Sequence, residues 1–420
     1  SMHTLAQHKT TAAATMKKLN AFVMAHYPAI GNANNMTPAH LERRLLGTFA
    51  TYLIHDAKIG YSTSSTYLSS VKSGQLEDIL RTDFLTATRP GIGDVNKALD
   101  QGLRLQAKAP PMTLSDLRRI CSPLFERNTP KSQRDPTLIS WQWSMVGRSS
   151  DVSTIRFTDM FWMDEFLMVR VTRKKTRQQH SMSQFVATMN WAFDPMHALA
   201  SQLVVDAYGT SSTLFGDLTL PSVAAYINRV IISACNDDTT LVTKKLRSHS
   251  SRRGSAVVAS SHSDVNLADL AHRGRWKIDG FQTALEYIAE TSESDQKLGK
   301  ALVGWENPTG KISPSRLEPL KSSDGKAQHR FAKLLFEHHV HQLPKIQFID
   351  VLTAVLVMDY RDTYACVAQQ TPHERMIAAV IKTLQHQKKA TAHEKIMTWG
   401  DIIRARFMAE NIASVPIRYL

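Results

Sequence analysis

The chain has 420 residues, 43% of them hydrophobic, which predicts two or three globular domains and excludes a wholly disordered protein. Its 51 Lys and Arg against 37 Asp and Glu give a formal net charge of +14. This charge favours a polyanionic partner, nucleic acid before membrane, over the alternative of a merely cationic protein. Three widely spaced cysteines form neither a disulfide framework nor a zinc pattern, so we expect a reducing, intracellular environment.

Residues 1–108 are predicted to form a helical domain, because apolar residues recur at three- and four-residue spacing in 16–26, 38–54 and 63–79. The third segment is rich in serine and threonine and carries a base, Lys72. Hydroxyl groups such as that of Thr66, beside free amides at a helix start, are able to donate to phosphate. Plain capping and a polar helix face account for these residues equally well.

A domain boundary is predicted at 107–111, Ala-Lys-Ala-Pro-Pro, a stiff and polar stretch. Thr113 and Asp116 beyond it predict a helix that opens with a capping box. A further helix is predicted to begin near residue 135 and to end at Gly147. That assignment leaves Arg148 just outside the helix, at a junction with a loop.

The pattern then changes to three short antiparallel strands, predicted at 161–163, 166–172 and 183–189. The turn between the second and third strands carries four cations, at Arg173, Lys174, Lys175 and Arg177. Charges in such a turn most often protect a sheet edge from pairing with other strands.

Helices are predicted to return at 194–209, 221–235, 267–271 and 280–290, the last of which carries Tyr287. Before the third of these helices, residues 246–254 read Leu-Arg-Ser-His-Ser-Ser-Arg-Arg-Gly. This segment sets His249 three residues before Arg252, at a predicted helix start. A Gly-Arg-Trp sequence that ends at Trp276 follows it.

Beyond residue 294, residues 295–325 are predicted to be a linker, because they are rich in Pro, Ser, Gly and Lys. Residues 326–420 are predicted to form four helices. One glutamate and three histidines within 337–341 suggest a metal site, but no cysteine or second cluster accompanies them. We therefore predict neither a metal nor a cofactor.

The motifs around Arg148, His249, Arg252, Trp276 and Tyr287, in this order, resemble the active site of the tyrosine recombinases, the phage-type integrases and their transposon relatives. The Gly-Arg-Trp variant is most similar to the eukaryotic crypton class. The resemblance implies a mostly α fold with a small antiparallel sheet (α+β). It divides the chain into a helical SAM-like core-binding domain, a catalytic domain, a linker and a helical C-terminal domain of unknown role. Their bounds are 1–108, 109–294, 295–325 and 326–420.

The resemblance also implies a chemistry of DNA strand breakage. Tyr287 attacks phosphorus to give a 3′-phosphotyrosyl intermediate. Arg148 and Arg252 bind the two non-bridging oxygens, where charge rises toward the transition state. His249 is placed to transfer a proton, and Lys175 protonates the leaving 5′ oxygen.

Several assignments keep an alternative. Lys174 could replace Lys175 as the general acid, and His272 could replace Trp276 as the donor to phosphate. Asp151 either supports the site or only caps the helix that follows. Further DNA contacts are expected from a hydroxyl and five cations: Thr66, Lys72, Arg173, Lys174, Arg177 and Arg253.

The implied function is a site-specific DNA recombinase or transposase that acts in the nucleus without metal or ATP. Its expected partners are double-stranded DNA, held by a C-shaped clamp, and further copies of the chain, as a dimer or tetramer once DNA is bound. No membrane partner is expected, since no run approaches the ~20 apolar residues of a span. The alternatives are a type IB topoisomerase and a domesticated transposase that only binds DNA.

Overall fold

The computed structural model of the protein describes residues 2–36, 43–59, 63–64, 67, 109–127, 129–172, 179–188, 190–206, 211–216, 220–235, 242–276, 292–320, 327–366, 371–385 and 388–414. Within these residues the fold is mostly helical, with one small antiparallel sheet. Contacts divide the chain into two compact units, Ser1–Lys108 and Ala109–Leu420. No helix of the described residues is long and apolar enough to cross a membrane.

The first unit contains α1 (Met2–His26), a 3-10 turn (Ala33–Asn35) and α2 (Arg43–His55). Phe22 and Phe49 are fully buried between the two helices, with ring centroids 5.2 Å apart. The Asn20 side chain accepts a hydrogen bond from the amide of Ala33 at 2.9 Å and so fixes the turn against α1. The apolar residues spaced three and four apart supply this small core.

The second unit holds the sheet and thirteen described helices. The helices are α3 (Leu114–Glu126), α4 (Pro130–Ser144), α5 (Ser149–Val152), α6 (Pro195–Val205), α7 (Leu220–Cys235), α8 (Ser248–Ser260), α9 (Leu267–Gly274), α10 (Glu293–Leu302), α11 (Ala327–Leu335), α12 (Ile346–Met358), α13 (Tyr360–Cys366), α14 (Thr371–Leu384) and α15 (Lys389–Asn411). Two 3-10 turns, Phe157–Asp159 and Glu318–Leu320, connect them.

Helix α4 lies at the centre of this unit and packs against α3, α6 and α8. Its two tryptophans, Trp141 and Trp143, are fully buried, so each indole N–H needs an internal acceptor. Trp141 donates to the carbonyl of Pro195 at 2.9 Å, and Trp143 donates to the carbonyl of Leu302 at 3.0 Å. These bonds fix α4 to the start of α6 and the end of α10.

The sheet has three strands in the order β1 (Met160–Trp162), β2 (Leu167–Thr172) and β3 (Gln179–Gln184), all antiparallel. The predicted three-stranded sheet is therefore present, but β3 ends where its prediction begins. Its buried residues include the polar His180, Ser181 and Ser183, which have no apolar periodicity to reveal the strand. The Ser183 amide donates to Asp295 at 2.7 Å, so this buried polar residue has a hydrogen-bond partner from outside the sheet.

Residues 295–325 differ from the predicted linker. Helix α10 extends to Leu302, and the next aromatic residue, Trp305, is fully buried and donates to the carbonyl of Val186 at 2.9 Å. Lys300 donates to the carbonyl of Gly310 at 2.8 Å, which holds the following turn. The linker prediction was wrong because it rested on polar composition. Polar side chains such as Lys300 bond to turns here, within a segment that is packed against the rest of the unit.

Residues 326–420 differ from the predicted separate domain of four helices. Their described part contains five helices, and α12 packs directly against α6. The ring of Phe348 in α12 stacks on that of Trp162 in β1 at 5.2 Å. One hydrophobic core therefore runs from Met112 to Phe407. The apolar α12 supplies a layer that the preceding helices need.

Candidate active site

Helix α8 carries the His-Ser-Ser-Arg-Arg-Gly sequence and begins at Ser248, close to the predicted start. Its N-cap, Arg247, has an extended backbone, and its amide donates to the Ser250 hydroxyl at 2.9 Å. His249 and Arg253 are four residues apart and lie on one face of the helix, which is exposed. Arg252 lies on a different face and is buried. The helix thus directs one predicted arginine inward and presents the histidine outward.

Arg252 joins three separated segments of the chain. It is 7% exposed, and its Nη1 donates to the carbonyl of Val146 at 2.6 Å. Its Nη2 donates to the carbonyl of Gly274. Val146 lies two residues before Arg148, and Gly274 lies two residues before Trp276. One guanidinium on α8 therefore holds together the three motifs that the sequence singles out.

Both turns that Arg252 contacts have left-handed backbone. Val146 has φ 49° and Arg275, next to Gly274, has φ 51°. This region is disfavoured for any residue with a side chain and most of all for a β-branched one. The sequence predicts Gly147 as the residue that ends the preceding helix, but α4 ends at Ser144 and Val146 makes the sharp turn. Strain of this kind persists where surrounding bonds over-determine the backbone, and Arg252 supplies two of them.

Trp276 covers the other side of Arg252. The centre of the guanidinium lies 4.6 Å from the centroid of the indole ring, a cation–π contact. Gly274 makes this arrangement possible, because a Cβ at that position would overlap the ring of Trp276. His272, the alternative donor, is 6% exposed in α9. The glycine of the Gly-Arg-Trp motif is therefore needed to make room for the tryptophan ring, which in turn packs on Arg252.

Gln142 connects the two segments that carry His249 and Arg148. Its Nε2 donates to the carbonyl of Ser248 at 2.8 Å and to the hydroxyl of Ser149 at 3.4 Å. These serines are the immediate neighbours of His249 and Arg148. Both predicted site residues are exposed, on segments bonded to one buried side-chain amide of α4. Gln142 lies in no motif, so the sequence alone offered no signal for it.

Asp151 is buried and accepts a hydrogen bond from the amide of Arg148 at 3.2 Å. This bond caps α5, which is the second of the two roles that the sequence left open. By fixing the backbone of Arg148, the cap also fixes the origin of that side chain. The contact confirms the capping role, whereas support of a catalytic site stays a prediction.

Arg253, predicted to contact DNA, is exposed, and its Nη1 donates to the carbonyl of Ala109. The next residue, Gly254, packs so closely on the same segment that a Cβ would overlap the carbonyl of Met112. The Met112 amide in turn donates to the backbone carbonyl of Ser250 at 3.0 Å. The glycine of the Arg-Arg-Gly sequence is thus required by a close backbone approach.

The other predicted site residues lie outside the described residues. They are Thr66, Lys72, Arg173, Lys174, Lys175, Arg177 and Tyr287. Their roles stay predictions.

Arg273 is a residue that the sequence analysis missed. It is fully buried, and its Nη2 donates to the carbonyls of Ser144 and Ser183 at 2.8 and 2.7 Å. Its Nη1 forms an ion pair with Asp295 at 2.5 Å. A charge next to a predicted turn is expected at the surface, and nothing in the sequence identifies the distant carboxylate that permits burial.

The histidine-rich segment of residues 337–341 is structural where its contacts are described. His339 is buried, with its ring nitrogens 3.1 Å from the carbonyl of Asp206 and 3.2 Å from the Gln342 side chain. Its ring stacks on Phe157 at 5.8 Å. Within the described residues, no group of three or more metal-ligating side chains converges.

No family model matches the sequence, and no curated protein matches it. Solved structures similar in backbone include a Flpe mutant–DNA Holliday junction complex, with a TM-score of 0.42, 12% identity and coverage of 84% of this chain and 97% of that one. The FLP Recombinase–Holliday Junction Complex I matches with a TM-score of 0.39 and 11% identity, over 83% of this chain and 96% of that one. The XerH site-specific recombinase bound to difH substrate, a pre-cleavage complex, matches with a TM-score of 0.39 and 13% identity, over 67% of this chain and 79% of that one.

Proposed function

We propose that this chain cleaves and rejoins double-stranded DNA at specific sites through a 3′-phosphotyrosyl intermediate on Tyr287, as a tyrosine recombinase does. One observation carries the proposal. Arg252 bonds to the carbonyls of Val146 and Gly274, and so joins the three sequence motifs that resemble this active site. A phosphate site needs groups from remote segments to converge, and Arg252 brings the segments of these three motifs together.

The described residues suit particular steps of this reaction. Arg148, which is exposed and whose amide is bonded to Asp151, is proposed to bind a non-bridging oxygen of the scissile phosphate. Arg252, held between two carbonyls and the Trp276 ring, contributes a preorganised positive charge that costs little reorganisation during reaction. His249 is exposed at the start of α8, where it can accept or return a proton.

In the proposed step, the Tyr287 oxygen forms a bond to phosphorus while the bond from phosphorus to the 5′ oxygen breaks. The phenolic proton passes to His249, and the leaving 5′ oxygen takes a proton from Lys175. Attack of a 5′ hydroxyl on the phosphotyrosine reverses both transfers and rejoins the strand. The phosphoester energy is conserved on the tyrosine, so the step requires neither a metal nor ATP.

Assembly and context belong to the same proposal. Residues 1–108 are proposed to bind the duplex beside the catalytic residues, and further copies of the chain to assemble on two DNA segments. The resemblance of the Gly-Arg-Trp sequence to crypton-class proteins supports a mobile-element transposase that acts in the nucleus.

The decisive experiment traps the covalent intermediate. Full-length protein is incubated with a library of nicked duplexes of randomised sequence, and adducts are recovered from a denaturing gel and sequenced. We expect an adduct enriched for one sequence with the wild type, and none with Tyr287→Phe. Tyr364→Phe, which removes a half-buried hydroxyl in α13, is the matched control and is expected to retain the adduct.

Each outcome has a distinct meaning. An adduct that persists in Tyr287→Phe identifies another nucleophile and overturns the assignment. An adduct without sequence enrichment, together with relaxation of supercoiled plasmid, identifies a type IB topoisomerase instead. DNA binding without any adduct in the wild type identifies a non-catalytic DNA-binding protein.

A further inference from the structure

The segment that leads into α8 is fixed at both of its ends. At one end, the amide and hydroxyl of Thr243 donate to the two oxygens of Asp116, at 2.8 and 2.9 Å. At the other end, the Ser248 amide donates to Asn228 at 2.8 Å and its carbonyl accepts from Gln142 at 2.8 Å. The residues between these anchors are therefore held in one position rather than left as a free loop.

The fixed segment presents three cations to solvent. Leu246 is 4% exposed and points into the core, whereas Lys244, Lys245 and Arg247 are exposed around it. Lys245 has φ 65°, the left-handed region that a lysine rarely adopts. Glycine and asparagine adopt this backbone region readily, whereas a lysine there strains the backbone. The strained residue thus keeps a cation at this point of the surface.

Some other cations of the same unit have carboxylate partners. Arg361 pairs with Asp401 at 2.6 Å, and Lys389 pairs with Glu374 at 2.8 Å. Within the described residues, no carboxylate forms an ion pair with Lys244, Lys245 or Arg247. Among the described residues, the segment is therefore a fixed positive surface whose three cations form no ion pair, next to the exposed His249.

We propose that Lys244, Lys245 and Arg247 bind the phosphate backbone of duplex DNA beside the scissile phosphate. The inference rests on the proposed function, because the position next to His249 identifies the polyanion as the substrate duplex. The rigid anchors reduce the entropy lost when flexible cationic side chains are ordered on a ligand. Asp116 and Thr243 are then positioning residues for this surface, because their bonds fix its first end.

The test measures how DNA affinity depends on salt. Each phosphate contact contributes a slope of ~0.9 in the plot of log affinity against log salt concentration for B-DNA. The triple variant Lys244→Ala/Lys245→Ala/Arg247→Ala is compared with Arg330→Ala/Lys333→Ala/Lys382→Ala, which removes three exposed cations from α11 and α14. Both variants lose the same net charge, so a difference between them reports position rather than overall field.

We expect the first variant to reduce the slope by ~2–3 for a mixed-sequence duplex, from two to three lost contacts, and the control to reduce it by under ~1. The charge-conserving variant Lys244→Arg/Lys245→Arg/Arg247→Lys should restore the wild-type slope. Equal slopes for the two alanine variants, both folded by circular dichroism, would overturn the inference. The wild-type Tyr287 adduct tests the proposed function separately, since it is scored without these substitutions.

Discussion

Arg273 and Asp295 form an ion pair at 2.5 Å, with side chains 0% and 2% exposed. In sequence they flank residues 277–291, which include the predicted nucleophile Tyr287. Arg273 also bonds to the carbonyls of Ser144 and Ser183, so the pair ties α9, α10, α4 and β3 together. The two ends of the segment that carries the tyrosine are therefore attached to the same buried group.

Removing one partner of this pair should be strongly destabilising. Asp295→Ala leaves a buried guanidinium without its counter-charge, and we expect a loss of ~3–5 kcal/mol in the free energy of unfolding. Asp362→Ala breaks the half-exposed pair with Arg404 and is expected to cost only ~0–1 kcal/mol. Urea denaturation of the two variants provides the comparison. Similar losses would show that burial adds little to the Arg273 pair.

Arg252→Lys should impair cleavage more than DNA binding. An ammonium cannot bond to both Val146 and Gly274 with the geometry of a guanidinium, so the preorganised charge is lost. We expect single-turnover adduct formation to fall by ~10²–10³, as for the loss of one transition-state donor. Arg330→Lys, at an exposed position of α11, is the control. A wild-type cleavage rate in Arg252→Lys would exclude Arg252 from the active site.

Two glycine substitutions should have opposite effects. Gly254→Ala places a Cβ against the carbonyl of Met112, which belongs to the backbone and cannot rotate away, so we expect a lower melting temperature. Gly47→Ala in α2 meets nothing within 4 Å and should stabilise its helix by ~0.5–1 kcal/mol. Differential scanning calorimetry of the full chain measures both. A stable Gly254→Ala protein would contradict the close approach of Met112 to α8.

Asp194 should make stability fall as pH rises. Burial raises the pKa of this carboxyl from 3.8 to about 7, although its helix-capping bonds from Met196 and His197 oppose the shift. Burial and the nearby Asp194 also raise the pKa of Asp359. Because the folded state holds the proton more tightly than the unfolded state, the contribution of Asp194 is fully present below pH 3.8 and is lost through about pH 7.

Asp194→Asn keeps the capping oxygen without the charge, so its melting temperature should vary less across this range than that of the wild type. Asp264→Asn, at an exposed carboxyl, provides the control. Parallel melting curves for the wild type and Asp194→Asn from pH 4 to pH 7 would show that this carboxyl is not the titrating group.

Lys245→Gly should separate stability from binding. Glycine adopts φ 65° without strain, so we expect a higher melting temperature. If Lys245 contacts phosphate, the same variant should bind duplex more weakly and show a salt slope lower by ~0.9. Thermal melting and fluorescence anisotropy on one preparation measure the two effects. Unchanged affinity would remove Lys245 from the proposed surface.

Much of the local structure was predictable because it depends on neighbours in sequence. The capping box of Thr113 and Asp116 is present, as are the helix start near residue 194 and the helix start near His249. The third strand was predicted at 183–189 but lies at Gln179–Gln184, because its buried polar residues have no apolar pattern and the bond from Ser183 is to Asp295, which is remote in the chain. Residues 295–325 were misassigned for a similar reason, since Trp305 is buried by partners from elsewhere in the fold.

The candidate site shows the same division. Motif order predicted Arg148, His249, Arg252 and Trp276 as site residues, but it could not show that Arg252 faces inward. It also missed Gln142 and Arg273, because their roles come from contacts across the fold rather than from any local pattern. A residue type and a spacing can suggest a chemistry, whereas the residues that hold it in place emerge only from tertiary contacts.

The single hydrophobic core shared by α6 and α12 has a practical meaning for anyone who wishes to express a shorter protein. A fragment that stops at residue 294 would retain every residue implicated in strand breakage, yet it would bare the apolar surface that α12 covers and leave the Trp143 indole without its acceptor at Leu302. Such a fragment is expected to aggregate. The productive place to cut is ahead of Ala109, where the two compact units meet along the chain.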